Sequence, residues 1–180
     1  GKMKCAKNAT GWIGVFITVI ISGLWSYWGA FENFHEGWYS KSIWENIFML
    51  LFQYLLFAWL FTVLALIGLR WKKAGLVVHL LSGAFCFWFF RGAVFSVVGL
   101  MVVIPFIVLG ALYYFGEPIP KRLAYIIIIA VPLIIITAIS IPQGVRISKR
   151  VNDNDLGIRV IKTLNYSLSW APRGPGWPDR

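Results

Sequence analysis

Apolar runs, each long enough to cross a bilayer, follow one another along most of the chain, and short polar stretches punctuate them. The first run, Gly11 to Ala30, follows Lys2, Lys4 and Lys7. Residues 31–42 then mix acids and His35 with Phe31, Phe34, Trp38 and Tyr39. Trp and Tyr favour the headgroup level, so this stretch reads as an interfacial loop or short amphipathic turn. The second run, Ile43 to Leu69, ends against Arg70, Lys72 and Lys73, and the third, Ala74 to Phe90, stops at Arg91-Gly92. The fourth, Ala93 to Phe115, contains Pro105, and the fifth, Leu123 to Ile141, contains Pro132. Spans tolerate such prolines where neighbouring helices satisfy the freed carbonyl. A hydrocarbon core needs roughly 20 residues of helix. The pattern therefore predicts an all-α integral membrane protein. Its domain, residues 1–141, is a bundle of about five transmembrane helices at 11–30, 43–69, 74–90, 93–115 and 123–141. The short third run and the fourth also admit a re-entrant pair, with Arg91-Gly92 held inside protein.

Residues 142–180 change character. The cluster Asn152-Asp153-Asn154-Asp155-Leu156-Gly157 is turn chemistry. Ile158–Thr163 and Ser167–Trp170 read as two short strands around Asn165-Tyr166, and residues 170–178 hold too much Pro and Gly for helix or sheet. This predicts a short β-rich extracytoplasmic tail. So few residues do not bury their own core, so the tail packs on the membrane domain, binds a partner, or opens a longer exported domain.

Composition agrees with a lipid setting. Of 180 residues, 59% are hydrophobic and 13% charged, against the roughly 25% charged of a soluble domain; mean hydropathy is +0.73. The net charge of +10 would suggest nucleic acid on a soluble protein. Here the cations flank apolar runs, which points to membrane orientation and excludes nucleic acid. Lys2, Lys4, Lys7, Arg70, Lys72, Lys73, Lys121 and Arg122 fall on one predicted side, and only Lys41 and Arg91 on the other. The expected arrangement is a multi-pass protein of a cell membrane, the bacterial inner membrane, with its N-terminus cytoplasmic and its C-terminus extracytoplasmic. The tail's own cations do not count against it, because longer polar segments translocate largely regardless of charge. No small-residue cleavage site follows the first run, which reads as a retained span. Cys5 and Cys86 are expected at different depths, so no disulfide joins them.

Two stretches carry a resemblance. Asp153-Asn154-Asp155-Leu156-Gly157-Ile158-Arg159, followed by Trp170-Ala171-Pro172-Arg173-Gly174-Pro175-Gly176-Trp177-Pro178, resembles the start of exported bacterial domains similar to the formylglycine-generating (sulfatase-modifying) enzyme superfamily. The spans, with Phe34-His35-Glu36-Gly37-Trp38-Tyr39, are similar to uncharacterised bacterial multi-pass proteins carrying such domains. The resemblance implies a membrane anchor for an enzyme-like domain whose catalytic cysteines would lie beyond residue 180. It assigns no activity to these residues.

Few polar residues are candidates for chemistry. Glu32, His35 and Glu36 share the i, i+3, i+4 spacing of one helix face. They could hold a single Zn or Cu ion, or simply cap the interface. His79, Ser82 and Cys86 lie along one side of the third run. An ionisable group within a span is costly and often functional, so His79 is the candidate for a cofactor or proton relay. The plainer expectation for it is a hydrogen bond to a neighbouring helix. Gln53 could bond across helices, Arg91 could reach lipid phosphate, and Ser22, Ser26 and Ala30 form a small-residue packing stripe. The chain contains no phosphate loop, Cys-x-x-Cys, Gly-x-Ser-x-Gly or internal repeat. These features favour a non-enzymatic anchor or scaffold that presents an extracytoplasmic domain or docks in a larger complex. A redox or metal-binding subunit comes second and a channel or transporter third. No cofactor is expected beyond bound lipid; the partners expected are the bilayer and other membrane subunits or further copies of the chain.

Overall fold

A computed structural model describes residues 2–36, 42–89 and 97–164. By internal contacts the chain forms two units, residues 1–140 and 141–180. The order is α1 (Lys2–Glu36), α2 (Ile43–Met49), a π-helical turn (Leu50–Tyr54), α3 (Leu56–Arg70), α4 (Lys72–Phe89), α5 (Val97–Phe115) and α6 (Lys121–Leu164). Every expected run is helical over its described residues except at Leu55, and no strand occurs among them.

Among the described residues, two helical stretches are long and apolar enough to cross a membrane, Met3–Phe34 and Lys121–Ile147. A third crossing is available if Trp44–Tyr54 and Leu56–Arg70, bent by 65° at Leu55, count as one. The second run is therefore not the straight span its hydropathy predicts. The π turn shifts the hydrogen-bond pattern by one residue, and Leu55 (φ −97°, ψ 7°) leaves the helical region altogether. Its apolar neighbours gave no warning, because Leu and Phe suit either side of such a break.

Two further corrections concern the ends of helices. The interfacial loop expected from residue 31 begins later, since α1 continues to Glu36 without Pro or Gly to stop it after Gly29. In the second unit, residues 141–164 are helical, so the strand expected at Ile158–Thr163 is not formed. Leu156, Val160 and Leu164 recur every four residues, and that helical spacing prevails over the local alternation. The expected strand at 167–170 lies outside the described residues. α6 contains 44 residues, of which the apolar stretch Lys121–Ile147 is long enough to cross a hydrocarbon core.

In the first unit α4 packs on α5 and α3, and α1 packs on α3 and α5. Their core joins Val15, Phe61, Leu64, Phe106, Leu109 and Tyr113, with Ala124 and Ile128 added from the start of α6. Phe61 and Phe106 stack with centroids 4.4 Å apart. The helices approach closely where side chains vanish. Gly75 of α4 lies on the backbone of Gly68 in α3, where a Cβ would collide. Where lipid is the solvent there is little hydrophobic drive between helices, and close contact surfaces of this kind then matter.

Candidate functional site

The polar groups of the first unit gather in two places. The first is a basic end, where the α5–α6 loop (residues 116–120) is tied to α1 and α4. The backbone N–H of Glu117 donates to the Lys7 carbonyl at 2.8 Å. The Ile119 N–H donates to Asn8 Oδ1 at 2.7 Å, and Trp12 Nε1 donates to the Ile119 carbonyl at 3.1 Å. The Glu117 carboxylate receives Lys121 Nζ at 2.8 Å and Lys72 Nζ at 3.0 Å. These two ammonium groups hold the Glu117 carboxyl down at about 2. Gly11 permits the tie, because a Cβ there would strike the Pro118 backbone. The arrangement gathers Lys7, Lys72 and Lys121 at one end, three of the cations that the sequence places on one side. Glu117 escaped notice in the sequence, although a single acid four residues before Lys121, within a basic turn, is a pairing signal.

The second place is a buried polar knot between α1, α4 and α5. Tyr113 Oη and Thr18 Oγ1 share a hydrogen bond of 2.7 Å. His79 lies beside Tyr113, ring centroids 6.0 Å apart, and is fully buried. Its Nδ1 bonds the Gly75 carbonyl of its own helix at 2.7 Å. The bond to a neighbouring helix expected of His79 is therefore not made: the i−4 carbonyl is nearer and already aligned. Nε2 is buried with no hydrogen-bond partner among the described residues. The Cβ of His79 fits closely against Gly110. The sequence singled out His79 but not Tyr113 or Thr18.

The remaining candidates are dispersed. Ser22, Ser26 and Ala30 are all fully buried along α1. Beside them Gly29 meets Tyr54 of the π turn and Gly23 meets Ile135 of α6. Gln53 is exposed on the π turn. It makes no bond across helices among the described residues. Glu32 is half-buried near the end of α1. His35 and Glu36 close the same helix, but their side chains lie outside the described residues, as does Arg91 entirely. No group of three His, Cys, Asp or Glu residues is placed to hold a metal ion among the described residues. Cys5 is exposed and Cys86 buried, and both are free. Ser82 and Cys86 line a groove of about 600 Å³ on the outer face of α3 and α4.

No family model, curated protein or solved structure matches the chain.

Proposed function

We propose that the chain is a non-enzymatic, multi-pass membrane anchor or scaffold, crossing the bilayer five times with its N-terminus and basic end in the cytoplasm. The carrying observation is the way its interior is filled. Glycines bring α3 and α4 into backbone contact and let α5 pack closely on both, and Thr18, Tyr113 and His79 are buried in the same interior. A path for ions or polar solutes needs charged or carbonyl-lined walls. A bundle whose centre is hydrocarbon and glycine serves to hold position. The length of α6 beyond a single crossing suits a stalk leading to an extracytoplasmic domain, of the kind suggested by the resemblance to formylglycine-generating enzymes.

Cysteine-accessibility labelling of intact cells tests the threading. Single cysteines at Lys73 and Arg122, in a Cys5→Ala background, should stay protected from an impermeant maleimide. One at Thr163 should be labelled. Labelling of the first two would reverse the orientation and remove the anchor reading.

A second reading, a redox or metal-binding subunit, is favoured by one observation: the unpartnered Nε2 of His79. Purified protein with a visible absorption band or stoichiometric metal, lost in His79→Ala, would establish it.

A further inference from the structure

Two surface hollows lie along one exposed ridge at the end of the molecule away from Glu117. Trp44, Phe48, Phe52 and Leu56 recur at four-residue intervals from α2 through the π turn to the start of α3, and all are exposed. Phe48 and Phe52 stack with centroids 4.6 Å apart. At the α2 end a shallow hollow of about 290 Å³ is lined by Trp44, Glu45, Phe48 and Met49. The Glu45 carboxylate is exposed and forms no ion pair among the described residues. At the α3 end, Leu56 is also the rim of the groove of about 600 Å³, whose walls are Phe57 and Leu60 on one side and Phe85, Cys86 and Phe89 on the other.

The chemistry of the two hollows differs, and together they describe one amphiphile. Two aromatic faces beside a free carboxylate are the surroundings that an ammonium group selects, through cation–π attraction and direct charge pairing. Phosphate is repelled there. The larger groove offers almost only hydrocarbon, with a volume in the range of ligand sites. From position 44 to position 54 the helical path covers about 15 Å before the bend at Leu55, a span that one acyl chain can bridge.

We propose that this ridge is a binding site for a single phospholipid with an ammonium headgroup, such as phosphatidylethanolamine. The ammonium sits against Trp44, Phe48 and Glu45, and one acyl chain runs past Phe52 into the groove between α3 and α4. The site rests on the membrane reading given above. It specifies which lipid class the protein retains and where.

Native mass spectrometry of the full chain, released from detergent with equimolar dioleoyl phosphatidylethanolamine and phosphatidylglycerol, is the test. The expected result is a three- to tenfold preference for the ethanolamine lipid, about the effect of one exposed charge pair with a cation–π contact. Glu45→Gln, at an exposed position, should bring the ratio close to one while total lipid stays constant. Ser82→Phe should reduce retention of both lipids and leave their ratio unchanged. Leu56→Trp, on the exposed rim, repeats that measurement should Ser82→Phe fail to fold. An even ratio in the parent protein, or an unchanged ratio in Glu45→Gln, overturns the proposal. So does a groove-filling variant that dissociates a dimer while keeping its lipid, which would make the occupant a second copy. Recovery of the parent chain in the soluble fraction without detergent would instead overturn the membrane reading, and this site with it.

Discussion

The two ends of the first unit are built on opposite plans. At the basic end, the α5–α6 loop is fastened by three hydrogen bonds to α1 and by a carboxylate shared between two lysines, over a glycine that admits the loop backbone. At the aromatic end, α2 departs from α3 through a π turn and a 65° bend, and large apolar side chains stand exposed around an open groove. Polar bonds and backbone contact define one geometry closely. Apolar contact does not, and the groove of about 600 Å³ lies at the second end.

Substitutions at four positions test this contrast, and thermal unfolding in detergent reads each of them. The largest effect is expected for Gly75→Val, which drives two methyl groups into the Gly68 backbone. A loss of about 3 kcal/mol is expected, since neither helix can yield without opening the α3–α4 turn. A loss below about 1 kcal/mol would show that the backbone contact is not a fixed point. Glu117→Ala removes both ion pairs and should cost about 1 kcal/mol, because each partner is more than a third exposed and water screens the charges. The same residue predicts an acid dependence. Its carboxyl titrates at about 2 when folded, against 4.5 ordinarily, so its contribution is complete above 4.5 and disappears as pH falls from there towards 2. Glu117→Gln should flatten that part of the stability profile.

Tyr113→Phe deletes the hydroxyl bonded to Thr18. Hydrogen bonds between membrane helices are worth about 0.6 kcal/mol on average, and a loss of that order is expected. The smallest effect, of opposite sign, belongs to Gly83→Ala. A Cβ there makes ordinary contact with Phe106, and alanine is the better helix former, so stability should rise by about 0.5 kcal/mol. Gly75 and Gly83 occupy one helix and the same residue type. A difference between them of several kcal/mol would show that close backbone approach is confined to the half of α4 next to the basic end.

Much of this was legible in the hydropathy. Apart from Leu55, each apolar run is helical over its described residues, and lysines 72 and 121, which the charge pattern assigns to one side, meet on Glu117. What the sequence concealed depends on three-dimensional contact. Nothing in Leu50–Tyr54 marks a π turn, because the change concerns hydrogen-bond register and not side-chain polarity. Tyr113 resembles its exposed neighbour Tyr114 until the fold buries one and leaves the other outside. The alternation at 158–163 suggested a strand, although the same residues also satisfy a four-residue repeat. His79 was identified as a candidate by its cost alone; its partner, a carbonyl of its own helix, became visible only with the backbone in place.

A single residue, Trp71, separates α3 from α4. If both helices cross a bilayer, as proposed above, so short a link cannot reach from one face to the other, and the two would enter the insertion machinery as one hairpin. Neither can be turned over alone. An error in the direction of one is an error in both, and quality control would meet a paired defect, never a solitary inverted helix.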